Sequence, residues 1–245
     1  MKPGLLALVN IAVFSLFFLT TGKPLHAEST IACPSGTYDM LDWMTLDKDL
    51  RAKYHLAGNA NPLYSTFGSG KFYWTKGGNG SPWDIQLFDS KYIYLWITEY
   101  DWNNPSSYKK FTYNTNMPLV PRCAHAGFPG STIKIPNTSY RTYTDCTHYK
   151  TQNLLKGVNS VWGPYKLSLG GSLPSNLSVL VASYRYNCND SFQNCGDKED
   201  FYLAQRYGLV QWAHYALVSG KYQLKQATYF NHLSTGVTTP DFRCF

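Results

Sequence analysis

The chain has 245 residues, with 22 Lys and Arg against 15 Asp and Glu for a formal net charge of +7, and is 16% aromatic, with 20 Tyr and 7 Trp. Its basic residues come in ones and twos, as at Lys48, Arg51 and Lys53 or Lys109 and Lys110, which is not the concentrated stripe that nucleic-acid binding uses. The length suffices to bury the core of one domain, and neither an internal repeat nor a low-complexity linker divides the chain.

Residues 1–27 read as a secretory signal peptide. Lys2 gives the positive start, residues 5–19 are apolar except for Asn10 and Ser15, and Leu25-His26-Ala27 ends on a small residue suited to cleavage. The apolar stretch is short for a spanning helix, which needs roughly 20 residues. Charges, Gly or Pro interrupt every later apolar run. Residues 28–245 are therefore expected to be a single secreted, extracellular domain with no membrane span. Losing Lys2 and Lys23 leaves 20 basic residues against 15 acidic, which permits a weak attraction to acidic glycans or an anionic cell surface.

The next elements follow from periodicity. Leu46, Leu50 and Tyr54 repeat at helical spacing after Thr45, and Asp47 and Asp49 suit a first turn, so one short peripheral helix is expected there. Residues 71–76 (KFYWTK) and 83–88 (WDIQLF) read as strands around the Gly-rich turn 77–80, and 92–98 (YIYLWIT) as a central, strongly apolar strand. The stretch 117–139, with Pro118, Pro121, Pro129 and Pro136, reads as irregular structure with short extended pieces. Residues 177–186 form a further strand, 188–200 a polar loop, and 200–233 a closing meander with period-2 alternation, interrupted at Gly208 and turned at Ser219-Gly220. The fold class is all-β: an antiparallel β-sandwich or barrel-like sheet.

All six cysteines, Cys33, Cys123, Cys146, Cys188, Cys195 and Cys244, follow the leader, and an even count in an exported chain reads as disulfides. Spacing joins Cys188 to Cys195 and favours Cys123 with Cys146, leaving Cys33 with Cys244. His residues are not placed beside cysteines at finger-like spacing, so no metal is expected. No metalloprotease helix, serine-nucleophile elbow or phosphate-cradling loop occurs, and no cofactor is expected.

Four groups of residues could carry chemistry. Glu99, Asp101 and Trp102, with Asp84 and Asp89 from the preceding hairpin, combine carboxylates with an aromatic ring, as glycan recognition does. Two carboxyls at suitable separation would also serve a glycosidase. Arg141, Tyr143, Asp145 and His148, with Arg122 and His125 as further parts, hold the cation, acid and base of a polysaccharide lyase. Asp190, Asn194, Asp197, Glu199 and Asp200 are oxygen-rich, but their spacing does not fit an EF-hand. His214 shares a strand face with Val210 and Trp212 and reads, like His232, as structural. Sequons stand at Asn79, Asn137, Asn176 and Asn189.

The aromatic content sharpens this. So many Tyr and Trp exceed what an interior of this size takes with satisfied hydroxyls, so several should reach the surface. The leading expectation is a secreted protein that binds a polysaccharide or cell-surface glycan through Asp84, Glu99, Asp101 and Trp102. The alternatives are a polysaccharide hydrolase or lyase using Glu99, Asp101, Arg141, Tyr143 or His148, and a structural or adhesive envelope protein.

Overall fold

The computed structural model describes residues 31–58, 62–68, 71–76, 81–100, 109–127, 130–135, 138–145, 147–154 and 156–238. The signal peptide expected at 1–27 and the loop residues Asp101 and Trp102 lie outside them.

The chain is antiparallel throughout. Strand β1 (Thr37–Asp39) leads into the short helices α1 (Met40–Met44) and α2 (Lys48–Arg51). A long meander follows: β2 (Tyr54–Ala57), β3 (Leu63–Gly68), β4 (Lys71–Lys76), β5 (Ser81–Phe88), β6 (Tyr92–Tyr100) and β7 (Lys109–Pro121). Then come β8 (Cys123–His125), β9 (Thr132–Ile135), β10 (Thr138–Tyr143) and β11 (Tyr149–Leu154). The last stretch holds β12 (Gly157–Leu167), β13 (Leu177–Cys188), β14 (Cys195–Ala204), β15 (Gly208–Val218), β16 (Lys221–Tyr229) and β17 (His232–Thr235).

These strands form a nine-stranded sheet, ordered β11-β10-β7-β6-β5-β4-β3-β2-β17, and a six-stranded sheet, ordered β16-β15-β14-β13-β12-β9. One core joins them: Leu56, Leu63, Phe72, Trp74 and Ile93 from the larger sheet with Val161, Leu180, Phe201 and Leu203 from the smaller. Trp74 stacks on Phe201 at 5.8 Å, and the Asn159 amide donates to the carbonyls of Pro118 and Leu119 across the gap. The fold is thus the expected all-β sandwich.

The helical segment departs from expectation. It splits into two short turns, capped by the Asp39 and Asp47 carboxylates instead of Thr45, and Tyr54 is already in a strand. The reason is burial. Met40, Leu41, Trp43 and Met44 are at most 4% exposed, so α1 is a plug in the core, while α2, which buries none of its residues, is the short peripheral helix expected after Thr45. The Trp74 indole donates to the Met44 carbonyl, fixing α1 against the larger sheet. Gly208, at φ +74°, lets β15 approach: a Cβ there would meet the Thr45 carbonyl carbon at 2.9 Å.

Two other regions are more regular than their composition suggests. Pro118 and Pro121 lie inside β7, where the stretch 117–139 reads as irregular. They are tolerated because β10 pairs only with residues 110–113 of β7, so the Pro half has β6 as its one described strand partner. The polar loop expected at 188–200 shrinks to residues 189–194, because β14 begins at Cys195. That shift sets the faces of Asp197, Glu199 and Asp200.

Cys188 bonds Cys195 across this hairpin, as the spacing suggests. Cys33 bonds Cys123, which replaces the pairings of Cys33 with Cys244 and Cys123 with Cys146. The pairing of β1 with β8 brings Asp39 opposite Cys123, and a turn closed by the Thr37 amide on the Pro34 carbonyl separates Cys33 from β1. Cys146 and Cys244 lie outside the described residues. No described helix is long and apolar enough to cross a membrane.

Candidate functional site

Of the residues expected to bind glycan, Asp101 and Trp102 lie outside the described residues. Asp84 is 8% exposed and accepts from the Thr98 hydroxyl, a buried bridge between β5 and β6. Glu99 is paired with Lys110 in the sheet register. Asp89 shapes a turn, accepting from the amides of Lys91 and Tyr92 and from the Tyr94 phenol. These bonds hold its carboxyl below the usual range against the opposing effect of desolvation, and burial with the Asp89 bond pushes Tyr94 up to about 12.

In the lyase-like group Arg141 and Tyr143 are hydrogen-bonded to each other. Arg141 lies over the Tyr149 ring at 4.6 Å, and Tyr143 packs on Tyr149 at 5.1 Å. Asp145 and His148 form an exposed pair at 2.8 Å in the next turn. The amides of His148 and Thr147 hold the Asp145 carboxyl well below its ordinary value. Arg122 is 1% exposed and grips Asp39 with two nitrogens. It closes the amino-terminal strand onto the sandwich. His125 bonds the Gly36 carbonyl.

The acidic stretch 190–200 is divided by strand alternation. Asp190 pairs with Lys156 at the hairpin tip. Asp197 and Glu199 point to the inner face of the smaller sheet, the face that carries Phe201. There the Tyr186 phenol and the Trp212 indole donate to Glu199 at 3.2 and 2.9 Å, while Asn187 and His214 bond Asp197 at 2.7 and 3.4 Å. His214 stacks on Trp212, as its shared face predicts.

Asp200 points the other way, onto the outer face, and here the structure gathers a site that the sequence reading missed. Cross-strand register places Trp162, Val181, Tyr202, Gln211 and Tyr229 in one row, and Ser160, Ser183, Asp200, Ala213 and Ala227 in the next. A third row holds Val158, Arg185, Lys198, Tyr215 and Leu224. Rows on one face are separated by about 7 Å along the strand.

Asp200 is 2% exposed, yet it lies on the solvent side of the sheet. Its neighbours cover it. The Ser183 hydroxyl donates to one carboxylate oxygen and Lys198 to the other, at 2.7 Å, and the Trp162 indole donates to Ser183 at 3.0 Å. The Lys198 ammonium sits 4.1 Å from the Tyr215 ring centre and 5.6 Å from that of Tyr222, a cation held against aromatic faces. The Tyr202 and Tyr215 hydroxyls approach to 3.4 Å.

A bulge builds the aromatic half of this face. Trp162 is opposite Val181 and Tyr165 opposite Val179, so β12 spends three steps where β13 spends two, around Gly163-Pro164. Without the bulge, residues three apart would face opposite ways. With it, Trp162 and Tyr165 stack at 5.7 Å with planes 12° apart. Trp162, Tyr165, Tyr202, Tyr215 and Tyr222 are all half-buried: each is packed beneath and retains surface in water. Burial first, and the nearby Asp200 charge after it, raise the Tyr165 phenol; burial and the Tyr215 contact raise Tyr202. Both hydroxyls therefore stay neutral at ordinary pH.

The signal that could have found this site was the alternation of the closing meander extended backward through Lys198 to Cys195, which places Lys198, Asp200 and Tyr202 on one face. The Trp162–Tyr165 stack had no such signal. Among the described residues no group of His, Cys, Asp and Glu is arranged to hold a metal. In comparisons with known proteins, no family model, no curated protein and no solved structure matches this chain.

Proposed function

We propose that this protein is an exported β-sandwich that binds a polysaccharide or cell-surface glycan on the outer face of its six-stranded sheet. The observation that carries the reading is the Trp162–Tyr165 stack beside Tyr202, set around the locked Ser183–Asp200–Lys198 group. Half-exposed rings offer flat apolar surface to the CH face of a sugar, and the neutral Tyr hydroxyls and Lys198 offer hydrogen bonds to its hydroxyls. The group is fixed by mutual contacts before any ligand arrives, which reduces the ordering cost of binding. The leader at 1–27 and the Cys33–Cys123 and Cys188–Cys195 bonds support export.

A screen of the mature protein against immobilised glycans tests this. Tyr165→Ala is expected to lower affinity for the selected glycan roughly ten-fold, about 1.4 kcal/mol, with the fold retained by circular dichroism. Unchanged binding in that variant and in Trp162→Phe would refute the outer face as the site.

A hydrolase is the second reading, favoured by Asp197 and Glu199. They sit two apart on one strand face beside Trp212 and Tyr186, and paired carboxylates beside aromatics suit glycosidic chemistry. Reducing-sugar release that disappears in Glu199→Gln would establish it. Under the binding reading that variant keeps full affinity and no sugar is released by either form.

A further inference from the structure

The charge layout of the outer face goes further than the aromatic platform and specifies the class of glycan; the inference rests on the binding reading above. The third row extends across β9 as well: Lys134 is opposite Val158, Val158 opposite Arg185, and Arg185 opposite Lys198. Lys134, Arg185 and Lys198 thus project from one face in a single line across the strands. With strands about 4.8 Å apart, Lys134 and Arg185 are separated by roughly 10 Å and Arg185 and Lys198 by roughly 5 Å.

Their partners differ. Lys198 is neutralised by Asp200. Lys156, at the same end, is neutralised by Asp190. Lys134 is exposed and Arg185 half-buried, and neither has a carboxylate partner among the described residues. The two acids that flank Lys198 on β14, Asp197 and Glu199, are turned to the inner face and bonded there. Arg185 shares this face with Tyr222, whose phenol burial raises and the Arg185 charge lowers. Lys134 lies 5.5 Å from the Phe192 ring centre, and Phe192 is held at φ +61° within the loop closed by Cys188 and Cys195. Two uncompensated cations therefore stand in line on the same face, two rows or roughly 13 Å from the Trp162 row. Like charges so placed repel, and an anionic ligand relieves that repulsion.

We infer that the outer face selects an anionic glycan, one bearing carboxylate or sulfate groups, with its rings on Trp162, Tyr165 and Tyr202 and its acidic groups on Arg185 and Lys134. Arg185 supplies the planar fork that grips such a group through two parallel hydrogen bonds. Lys134, exposed at the end of the row, supplies a point charge.

The test measures affinity by calorimetry for polygalacturonate, its carboxyl-reduced neutral product, and a sulfated galactan, with single-stranded DNA as an anionic polymer that is not a glycan. Preference for at least one acidic glycan over the neutral product is expected, with Arg185→Gln lowering that affinity roughly ten-fold. Lys134→Gln should lower it less, and both variants should leave binding of the neutral product unchanged. The two acidic arms distinguish carboxylate from sulfate as the group recognised. Equal binding of neutral and acidic glycans, unaffected by Arg185→Gln but reduced by Tyr165→Ala, would overturn this inference and leave the platform standing. DNA bound as tightly as the acidic glycans would overturn it in favour of general polyanion attraction. Binding of none of the glycans would overturn the platform itself.

Discussion

Among the described residues two ion pairs each hold one charge almost fully buried, and they differ in what covers them. Arg122 and Asp39 meet where β1 crosses β8, with the guanidinium 1% exposed and 5.3 Å from the Phe88 ring centre. Two nitrogens grip the carboxylate, a third donates to the Asp89 carbonyl, and Asp39 also caps α1. The Cys33–Cys123 bond lies alongside. Lys198 and Asp200 form the second pair. Its carboxylate is as deeply buried as Arg122, but its ammonium is 20% exposed and its cover is a set of half-buried rings. The first pair fastens the chain; the second stiffens a surface. A buried charge marks function only when its covering groups themselves meet solvent.

The comparison breaks most visibly at the fastening end. Removing Cys33–Cys123 with paired Ser substitutions frees a closure of 90 residues, which chain entropy values at about 4 to 5 kcal/mol. A large drop in the denaturant midpoint is expected, with glycan affinity of the surviving folded fraction unchanged. Arg122→Met should cost about 3 kcal/mol, because Asp39 is left buried with only the α1 cap as partner. It too should spare affinity. Lys198→Met is the contrasting case. Asp200 keeps Ser183, so the stability loss should be smaller, about 2 kcal/mol, and here affinity should fall as well. If Arg122→Met and Lys198→Met affected binding alike, the division into fastening and surface would be wrong.

Gly163→Ala sharpens the same contrast within the surface. Gly163 has φ +112°, and a Cβ there would meet the Val179 carbonyl oxygen at 2.9 Å. The bulge must shift, at about 1 to 3 kcal/mol, and the Trp162–Tyr165 stack shifts with it. Gly170→Ala carries the φ penalty alone, since no atom lies within 4 Å of its Cβ. Reduced glycan affinity is therefore expected in Gly163→Ala and not in Gly170→Ala, read by calorimetry on both.

These residues also show how far a single sequence reaches. The closing meander is legible because alternation, Gly208 and Ser219-Gly220 all agree; Ser219 and Gly220 indeed take φ of +50° and +75°. The general expectation that Tyr and Trp reach solvent is met on the outer face. The particular rings are another matter. Alternation assigns faces only while register is unbroken, and the bulge at Gly163-Pro164 resets it between Trp162 and Tyr165. The Pro residues of β7 hide a strand for a related reason: whether a missing amide hydrogen matters depends on which neighbour pairs there. Burial of α1 shows in composition alone, as the apolar anchor Met40, Leu41, Trp43 and Met44, because five residues carry no period long enough to mark it as a helix.

The smallest expected effect is silent at neutral pH. Burial raises the phenols of Tyr165, Tyr184, Tyr186 and Tyr202 above the ordinary value of about 10, with Glu199 or Asp200 nearby adding to it in each. A phenol whose folded value is raised binds its proton more tightly folded than unfolded. Its contribution to stability is complete below the unfolded value and is lost as pH rises toward the folded one. Stability should therefore be flat through neutrality and decline above about pH 10. Absorbance at the tyrosinate band should rise in more than one step, a first group of phenols ionising reversibly while the fold is intact. A second group should ionise only as circular dichroism reports unfolding. Tyr202→Phe removes one phenol from the second group. Because Tyr202 lies on the surface platform and Tyr184 in the interior, a bound glycan should delay the ionisation of Tyr165 and Tyr202 and leave that of Tyr184 tied to global unfolding. Equal delay of all four would show only that the ligand stabilises the whole fold, and not that it covers this face.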